Sequence, residues 1–100
     1  MRGDILQAKR RIGFADPGKL ESFVVLQSDA FETYERIAIA PVDDRSHHAG
    51  NPLAISINPR KVVLLGHLAV VSRDNLKPDP VGRVDDLSDV DRVLAIFLGI

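Results

Sequence analysis

The segment from Ser88 to Ile100 carries the pattern that most restricts how this chain can fold. Four apolar residues recur at the i, i+3, i+4 and i+7 spacing of one helical face, namely Val90, Val93, Leu94 and Phe97. Such a stripe packs against a core while the opposite face meets water. The segment therefore predicts a C-terminal amphipathic helix that covers a small β-domain, with Phe97 packed on that domain.

The two ends of this predicted helix carry capping signals. Ser88 is predicted as the N-cap, with Asp91 at the capping-box position, where its charge suits the positive end of the helix. Gly99 suits a C-cap because glycine adopts a positive φ without strain. The chain then leaves the helical path, so Leu98, Gly99 and Ile100 are expected to form an exposed tip.

Short apolar runs separated by turn residues precede the helix, and this pattern is typical of the short strands of a small barrel. Phe23 to Leu26 is a continuous apolar run rich in β-branched residues and is predicted as a buried central strand. Ser28 is predicted to cap a short turn. Pro41 is predicted to end the pairing of its strand, because proline donates no amide hydrogen. The predicted strands cover residues 4–8, 23–26, 36–40, 53–57, 62–65 and 81–84, and residues 43–51 are predicted as a polar loop.

Composition places the chain among small globular proteins. One hundred residues, 45% of them hydrophobic, suit a single domain over residues 1–100, of an α+β class in which strands dominate. The sequence contains no cysteine, which excludes disulfides and thiolate zinc sites. No secretion signal or membrane-spanning run is recognisable, so a cytoplasmic protein without membrane contact is expected. For the same reason the tripeptide Arg2-Gly3-Asp4 is not interpreted as a cell-adhesion motif. A domain this small gains stability from dimerisation.

Two polar clusters are candidate sites. Lys9, Arg10 and Arg11 form a basic group able to contact nucleic-acid phosphates, although the net charge of −1 argues against a polyelectrolyte binder. His47 and His48 are adjacent, and a metal site there requires further ligands from elsewhere in the chain. The sequence therefore predicts a possible nucleic-acid contact at the basic group and no metal site.

The order of these segments resembles the CcdB and PemK/MazF superfamily of bacterial toxins. Arg2-Gly3-Asp4-Ile5 is similar to the start of PemK/MazF ribonucleases, and Leu98-Gly99-Ile100 is similar to the end of CcdB. Residues 23–29 and 36–42 resemble both branches, whereas residues 51–57 and 63–71 resemble CcdB. The resemblance covers nearly the whole chain. It implies a toxin of a type II toxin–antitoxin module, with an SH3-like barrel, a C-terminal α-helix and a cognate antitoxin.

PemK/MazF toxins cut single-stranded RNA, and the resemblance implies which positions matter. That branch relies on a threonine or serine just after the third strand, and on an arginine followed by threonine after the later hairpin. Here Asp43 stands at the first position, and Ala69 and Val70 stand at the second. A cation is needed to stabilise charge on the scissile phosphate, so no catalytic residue is assigned. RNA cleavage is not expected unless Arg45 or Arg73 substitutes from a shifted position.

CcdB-like toxins bind DNA gyrase through a Trp-Gly-Ile ending, and the resemblance implies that role for Leu98, Gly99 and Ile100. Leucine in place of tryptophan removes an aromatic anchor of the kind that dominates interfaces. The favoured function is a homodimeric inhibitor of DNA gyrase or another topoisomerase, with no cofactor. The alternatives are a PemK/MazF-like endoribonuclease and a degenerate member that retains only antitoxin binding.

Overall fold

The computed structural model describes residues 1–9 and 22–100, which form a mainly β fold with one C-terminal helix, as the sequence predicts. All six predicted strands are present at shifted bounds, whereas β6 is not among the predictions. Within the described residues no helix has the length and apolar character needed to cross a bilayer. The strands are β1 (Asp4–Gln7), β2 (Ser22–Val25), β3 (Arg36–Asp44), β4 (Ala54–Ser56), β5 (Lys61–Leu64), β6 (Ala69–Ser72) and β7 (Gly82–Arg83), and the helix is α1 (Ser88–Leu98).

The described strands form an antiparallel half-barrel in which β3 is the longest member. The strand order is β4-β5-β3-β2-β1-β7, and β6 pairs with β3. β2 pairs along one edge of β3, and the opposite edge is divided between two partners. Residues 36–39 pair with β6, and residues 42–44 pair with β5. β3 therefore runs from a β6 end to a β5 end, and the candidate site lies at the β5 end.

β2 is buried on both faces, which explains its unbroken apolar sequence. Val24 packs in one hydrophobic cluster with Leu65 and Val90, whereas Phe23 and Val25 pack in a second cluster. Successive strand residues point to opposite faces, so a strand covered on both sides has no polar alternate positions. The buried central strand predicted from this run is confirmed.

Pro41 lies inside β3 and does not end it, contrary to the sequence prediction. The Leu26 amide donates to the Ala38 carbonyl oxygen, so the ladder bonds fall on alternate pairs, and the Pro41–Phe23 pair lies between them. The backbone nitrogen of Pro41 therefore faces away from β2, toward the opposite edge of β3, and no β2–β3 hydrogen bond is lost. On that edge Pro41 stands between the segments paired with β6 and with β5, where no described pairing requires its amide.

Gly3 joins the start of the sheet to the residues just before the helix. Its amide donates to the Val25 carbonyl oxygen at 2.8 Å, and its carbonyl oxygen accepts from the Val84 amide at 2.8 Å. Its φ is +90°, and a Cβ at this position would lie 2.5 Å from the Val84 carbonyl oxygen. Both the backbone conformation and the available space therefore require glycine here.

The helix begins at Ser88, but Ser88 is not its N-cap. Leu87 occupies that position without a side-chain cap, and the Asp86 carboxylate accepts from the Ser88 amide at 2.9 Å and from the Ser88 hydroxyl at 2.6 Å. Asp91 accepts from the Arg2 guanidinium instead of completing a capping box. The predicted cap is wrong because Asp86 supplies a carboxylate to a free amide of the first turn.

Gly99 is the left-handed C-cap that the sequence predicts, with a φ of 75° and a ψ of 28°. Its amide donates to the Ile96 carbonyl oxygen at 3.2 Å, and the Ile100 amide donates to the Ala95 carbonyl oxygen at 2.9 Å. These two bonds form a Schellman motif, which satisfies carbonyl groups that the helix end leaves free. The chain therefore turns out of the helical path at Gly99.

Phe97 does not pack on the sheet, and this prediction is wrong. Val90 is 1% exposed, and Val93 and Leu94 pack partly against the first cluster. Phe97 is 49% exposed and is not among the described residues of either cluster. The helix therefore contacts the described core with its first two turns, and the apolar residues of its last turn are exposed.

Candidate functional site

A groove of about 770 Å³ lies at the β5 end of β3, beside the 3-10 turn Arg45–His48 and the β4–β5 hairpin. β3 ends at Asp44, and the chain enters the 3-10 turn immediately afterwards. Because β5 pairs with this end of β3, the hairpin brings its turn residues to the same place. The polar residues that line the groove are Asp44, Arg45, Ser46, His48, Asn51, Ser56 and Arg60.

A hydrogen-bonded carboxylate–imidazole pair stands beside this groove. The 3-10 turn returns His48 to the end of β3, where its Nε2 lies 2.7 Å from Oδ2 of Asp43. Partial burial of Asp43 opposes its ionisation. The hydrogen bonds from His48, from the Asp44 amide and from His47 outweigh that effect and hold the pKa of Asp43 below its ordinary value of 3.8. Asp43 is therefore ionised at neutral pH.

The ionised carboxylate determines the tautomer of neutral His48. A carboxylate accepts hydrogen bonds and has none to donate, so Nε2 of His48 carries the hydrogen that points to Asp43. Nδ1 of the neutral ring is then unprotonated and accepts protons. An imidazole held by a carboxylate in one tautomer is the arrangement required for general-base chemistry.

Two arginines, Arg45 and Arg60, line the same groove. The Arg45 amide donates to the Arg60 carbonyl oxygen at 2.8 Å, so the 3-10 turn and the hairpin turn are fastened together where both arginines line the groove. Neither guanidinium forms an ion pair with any residue that the structure describes. Unpaired guanidinium groups in a groove are suited to bind phosphate oxygens.

Further titratable groups surround the Asp43–His48 pair. Nδ1 of His47 lies 3.5 Å from Oδ2 of Asp43, and Nζ of Lys61 lies 2.7 Å from Oδ1 of Asp44. The Lys61 hydrogen bond and charge hold the pKa of Asp44 below 3.8. Asp43, Asp44 and His47 each place one ligand atom within 4.8 Å of the others, and these three residues are the described group able to hold a metal ion.

The predicted tip is exposed and apolar. Ile100 is 90% exposed and Leu98 is 52% exposed, and Ile96 and Phe97 on the last helical turn are also exposed. The Schellman motif at Gly99 fixes the backbone of this surface, which we call the helix tip and define as residues 96–100. An exposed apolar patch of this kind is typical of a protein-binding surface.

The basic group predicted to contact nucleic acid is described only in part. Lys9 is exposed, and its amide donates to the Asn75 carbonyl oxygen at 2.8 Å, whereas Arg10 and Arg11 lie outside the described residues. Arg73 is a structural residue, since its guanidinium donates to the carbonyl oxygens of Glu32 and Tyr34. Of the two arginines considered as catalytic substitutes, only Arg45 lines the groove.

The sequence prediction missed His48 and Arg60 as partners in one site. A signal for the first was present, because residues 43–48 place six polar residues directly after an apolar strand. The 3-10 turn that joins His48 to Asp43 has no comparable signature. Arg60 lies in a hairpin turn, and its position beside Arg45 depends on strand register, which the sequence alone does not define.

Comparison with known proteins assigns a family to this arrangement. Residues 1–98 match the family model described as a PemK-like, MazF-like toxin of type II toxin–antitoxin systems. No curated protein matches the chain. The family match covers every described strand and the whole of α1.

Proposed function

The chain belongs to the PemK-like, MazF-like toxins of type II toxin–antitoxin systems, and from this premise we propose that it is an endoribonuclease that cleaves single-stranded RNA. The observation that carries the proposal is the groove that joins a carboxylate-held imidazole, His48, to the guanidinium groups of Arg45 and Arg60. A toxin of this type has a cognate antitoxin as its partner. The family resemblance implies RNA as the substrate, and the groove supplies groups suited to it.

The proposed reaction uses the nucleophile that RNA itself carries. Nδ1 of His48 takes the proton of the ribose 2′-hydroxyl beside the scissile phosphate, and the 2′-oxygen forms a bond to phosphorus. The bond from phosphorus to the 5′-oxygen breaks, and that oxygen leaves with a proton from solvent. Arg45 and Arg60 stabilise the negative charge that increases on the phosphate oxygens. The products are a 2′,3′-cyclic phosphate and a 5′-hydroxyl.

This set replaces the one that the family resemblance implies. Ala69 and Val70, which stand where the Arg-Thr pair is expected, belong to β6 and pair with the opposite end of β3. The Arg73 guanidinium donates hydrogen bonds to backbone carbonyl oxygens, so Arg73 is not assigned to the substrate phosphate. Arg45 follows β3 directly and lines the groove, so it is the arginine of this chain best placed to take the role.

Cleavage of RNA by the purified chain tests the proposal. A single-stranded RNA carrying varied sequence is incubated with the protein in the presence of EDTA, and fragment ends are identified by mass. We expect cyclic phosphate ends. His48→Gln removes the base and is expected to lower the rate by about 100-fold or more. Arg45→Ala is expected to lower it by about 100-fold.

Matched variants of the same residue types serve as controls. Arg36→Ala changes an exposed arginine at the opposite end of β3, and His67→Gln changes an exposed histidine outside the groove lining, so both are expected to cleave at the rate of the unaltered chain. Absence of cleavage by the unaltered chain, or full cleavage by both His48→Gln and Arg45→Ala, contradicts the proposal.

A second candidate function rests on the helix tip. Its exposed apolar residues, with Leu98-Gly99-Ile100 at their centre, suit a topoisomerase inhibitor of the CcdB kind better than they suit an RNA-binding surface. Under this proposal, Leu98→Asp abolishes inhibition of supercoiling by purified DNA gyrase. Leu98→Trp restores an aromatic anchor and strengthens inhibition or leaves it unchanged. Full inhibition by Leu98→Asp contradicts a role for the tip.

The remaining expectations from the sequence stay proposals. Homodimerisation is proposed because a folded chain of 100 residues buries only about 60–70% of the surface that its unfolded chain exposes, so an interface adds useful stability. Sedimentation at several protein concentrations measures it, and a monomer throughout contradicts it. A cytoplasmic site of action is proposed because the targets under consideration, RNA and gyrase, are reached there.

A further inference from the structure

We propose that Asp43, Asp44 and His47 bind a divalent transition-metal ion of the zinc class at the rim of the groove. One ligand atom from each residue lies within 4.8 Å of the others. The three residues come from the end of β3 and the 3-10 turn that follows it, so their backbone is fixed by regular structure. The binding of an ion there is separate from RNA cleavage and does not depend on it.

The donor set selects the class of ion. Imidazole nitrogen together with carboxylate oxygen suits zinc and its neighbours, whereas magnesium and calcium prefer oxygen ligands alone. The distance from Nδ1 of His47 to Oδ2 of Asp43 is 3.5 Å. Two ligands bound at the usual zinc distances, in tetrahedral geometry, lie about 3.4 Å apart. This pair therefore needs almost no movement to bind one ion.

His48 strengthens the site without being a ligand in this proposal. Its Nε2 donates to Asp43 at 2.7 Å and holds that carboxylate in position. Carboxylate ligands of metals are commonly oriented by hydrogen bonds of this kind. The adjacent histidines require further ligands, and the fold brings the carboxylates of Asp43 and Asp44, four and three residues earlier in the chain, close to His47.

Asp44 is the ligand that must change partners. It forms an ion pair with Lys61 at 2.7 Å, and the two side chains are 51% and 45% exposed, respectively. An ion pair so exposed contributes little stability, so a divalent ion displaces the ammonium group at small cost. The same exposure admits water, which completes the coordination of an ion held by three protein ligands.

Titration of the untagged full chain with zinc chloride, measured by calorimetry without RNA, tests the inference. We expect one ion per chain. His47→Gln and Asp44→Asn are each expected to weaken binding at least tenfold. His67→Gln changes a histidine outside the group and is expected to bind as the unaltered chain does. Magnesium chloride in the same titration is expected to give no binding comparable to that of zinc.

Three results overturn the inference. They are no zinc binding by the unaltered chain, unchanged affinity in both His47→Gln and Asp44→Asn, and magnesium binding as tight as zinc binding. Both substituted side chains are exposed, and circular dichroism confirms that each variant is folded before titration. Because no RNA is present, failure here leaves the ribonuclease proposal to its own test.

Discussion

The groove at the end of β3 and the helix tip are two surfaces of one small fold, and they are built in opposite ways. In the groove, polar side chains are positioned by partners: Asp43 holds His48, and backbone hydrogen bonding fastens Arg45 to the Arg60 turn. At the tip the backbone is fixed by Gly99, and the apolar side chains extend into solvent. The groove is organised for charge and proton transfer, whereas the tip is organised for contact.

The presence of both surfaces explains why membership of the toxin family does not by itself identify the molecule that the toxin attacks. Both surfaces lie within one chain that matches a single toxin family over residues 1–98. Each surface uses residues that the other does not, since the groove is formed around β3 and β5 and the tip is formed by α1. Substitutions can therefore separate the two functions cleanly, and growth arrest in cells is the measurement that compares them directly.

The largest expected effect is on growth arrest. In cells without the antitoxin, His48→Gln is expected to abolish arrest, because loss of a general base lowers cleavage by about 100-fold or more. Leu98→Asp is expected to arrest growth as the unaltered toxin does. Equal protein levels are checked by immunoblot. The reverse pattern, with arrest lost only in Leu98→Asp, assigns toxicity to the tip and contradicts the ribonuclease proposal.

The second prediction compares the two ends of α1. Val90→Ala removes two buried methyl-sized groups and leaves a cavity, so the free energy of unfolding is expected to fall by roughly 2 kcal/mol. Phe97→Ala acts on a half-exposed ring and is expected to cost about 1 kcal/mol or less. Urea denaturation measures both. A loss of several kcal/mol in Phe97→Ala shows that the ring is buried in solution, for example by a second copy.

The third prediction separates a structural arginine from a site arginine. Arg73→Ala removes hydrogen bonds to the carbonyl oxygens of Glu32 and Tyr34 and is expected to lower stability by roughly 1–2 kcal/mol. RNA cleavage by the folded protein is expected to be unchanged. Arg45→Ala is expected to show the opposite result, with normal denaturation and slow cleavage. Normal stability in Arg73→Ala contradicts its structural role.

The smallest expected effect concerns acid stability. The pKa of Asp43 is near its ordinary value of 3.8 in the unfolded chain and is lower in the folded chain. At a pH between these two pKa values the unfolded chain binds more protons than the folded chain, so the free energy of unfolding rises with pH. The contribution of Asp43 is present above about pH 4 and is lost on acidification through its folded pKa. Unfolding free energies of the unaltered chain and Asp43→Asn are expected to differ by about 1 kcal/mol or less at pH 5. A difference that grows toward pH 3 contradicts the sign.

The sequence predicted the buried strand β2 and the Gly99 C-cap correctly, whereas the N-cap of α1, the end of β3 and the packing of Phe97 were predicted wrongly. β2 is buried on both faces, and a strand of this kind has an unbroken apolar sequence that can be recognised directly in the chain. Pro41 was read correctly as lacking an amide hydrogen, but its consequence depends on which edge that hydrogen would face. Phe97 carries the right spacing for packing, yet it lies outside both described hydrophobic clusters, and spacing alone does not determine which residues of an apolar stripe reach the core.

The candidate site was only partly predictable for a related reason. Arg45 and the histidine pair were visible as polar residues after a strand, and the helix tip was visible from Gly99. The Asp43–His48 hydrogen bond and the neighbouring Arg60 required the 3-10 turn and the β3–β5 register. Short turns are held by local hydrogen bonds with weak sequence preferences, so they are inferred poorly from pattern alone.

The close approach of Gly3 and Val84 determines when the folded toxin can form during synthesis. β1 completes its pairing with β7 only when residues about eighty positions later have been synthesised. Contacts between residues so distant in the chain form slowly, because a long loop must close before any pairing energy is gained. The nascent toxin therefore remains incomplete through most of its translation.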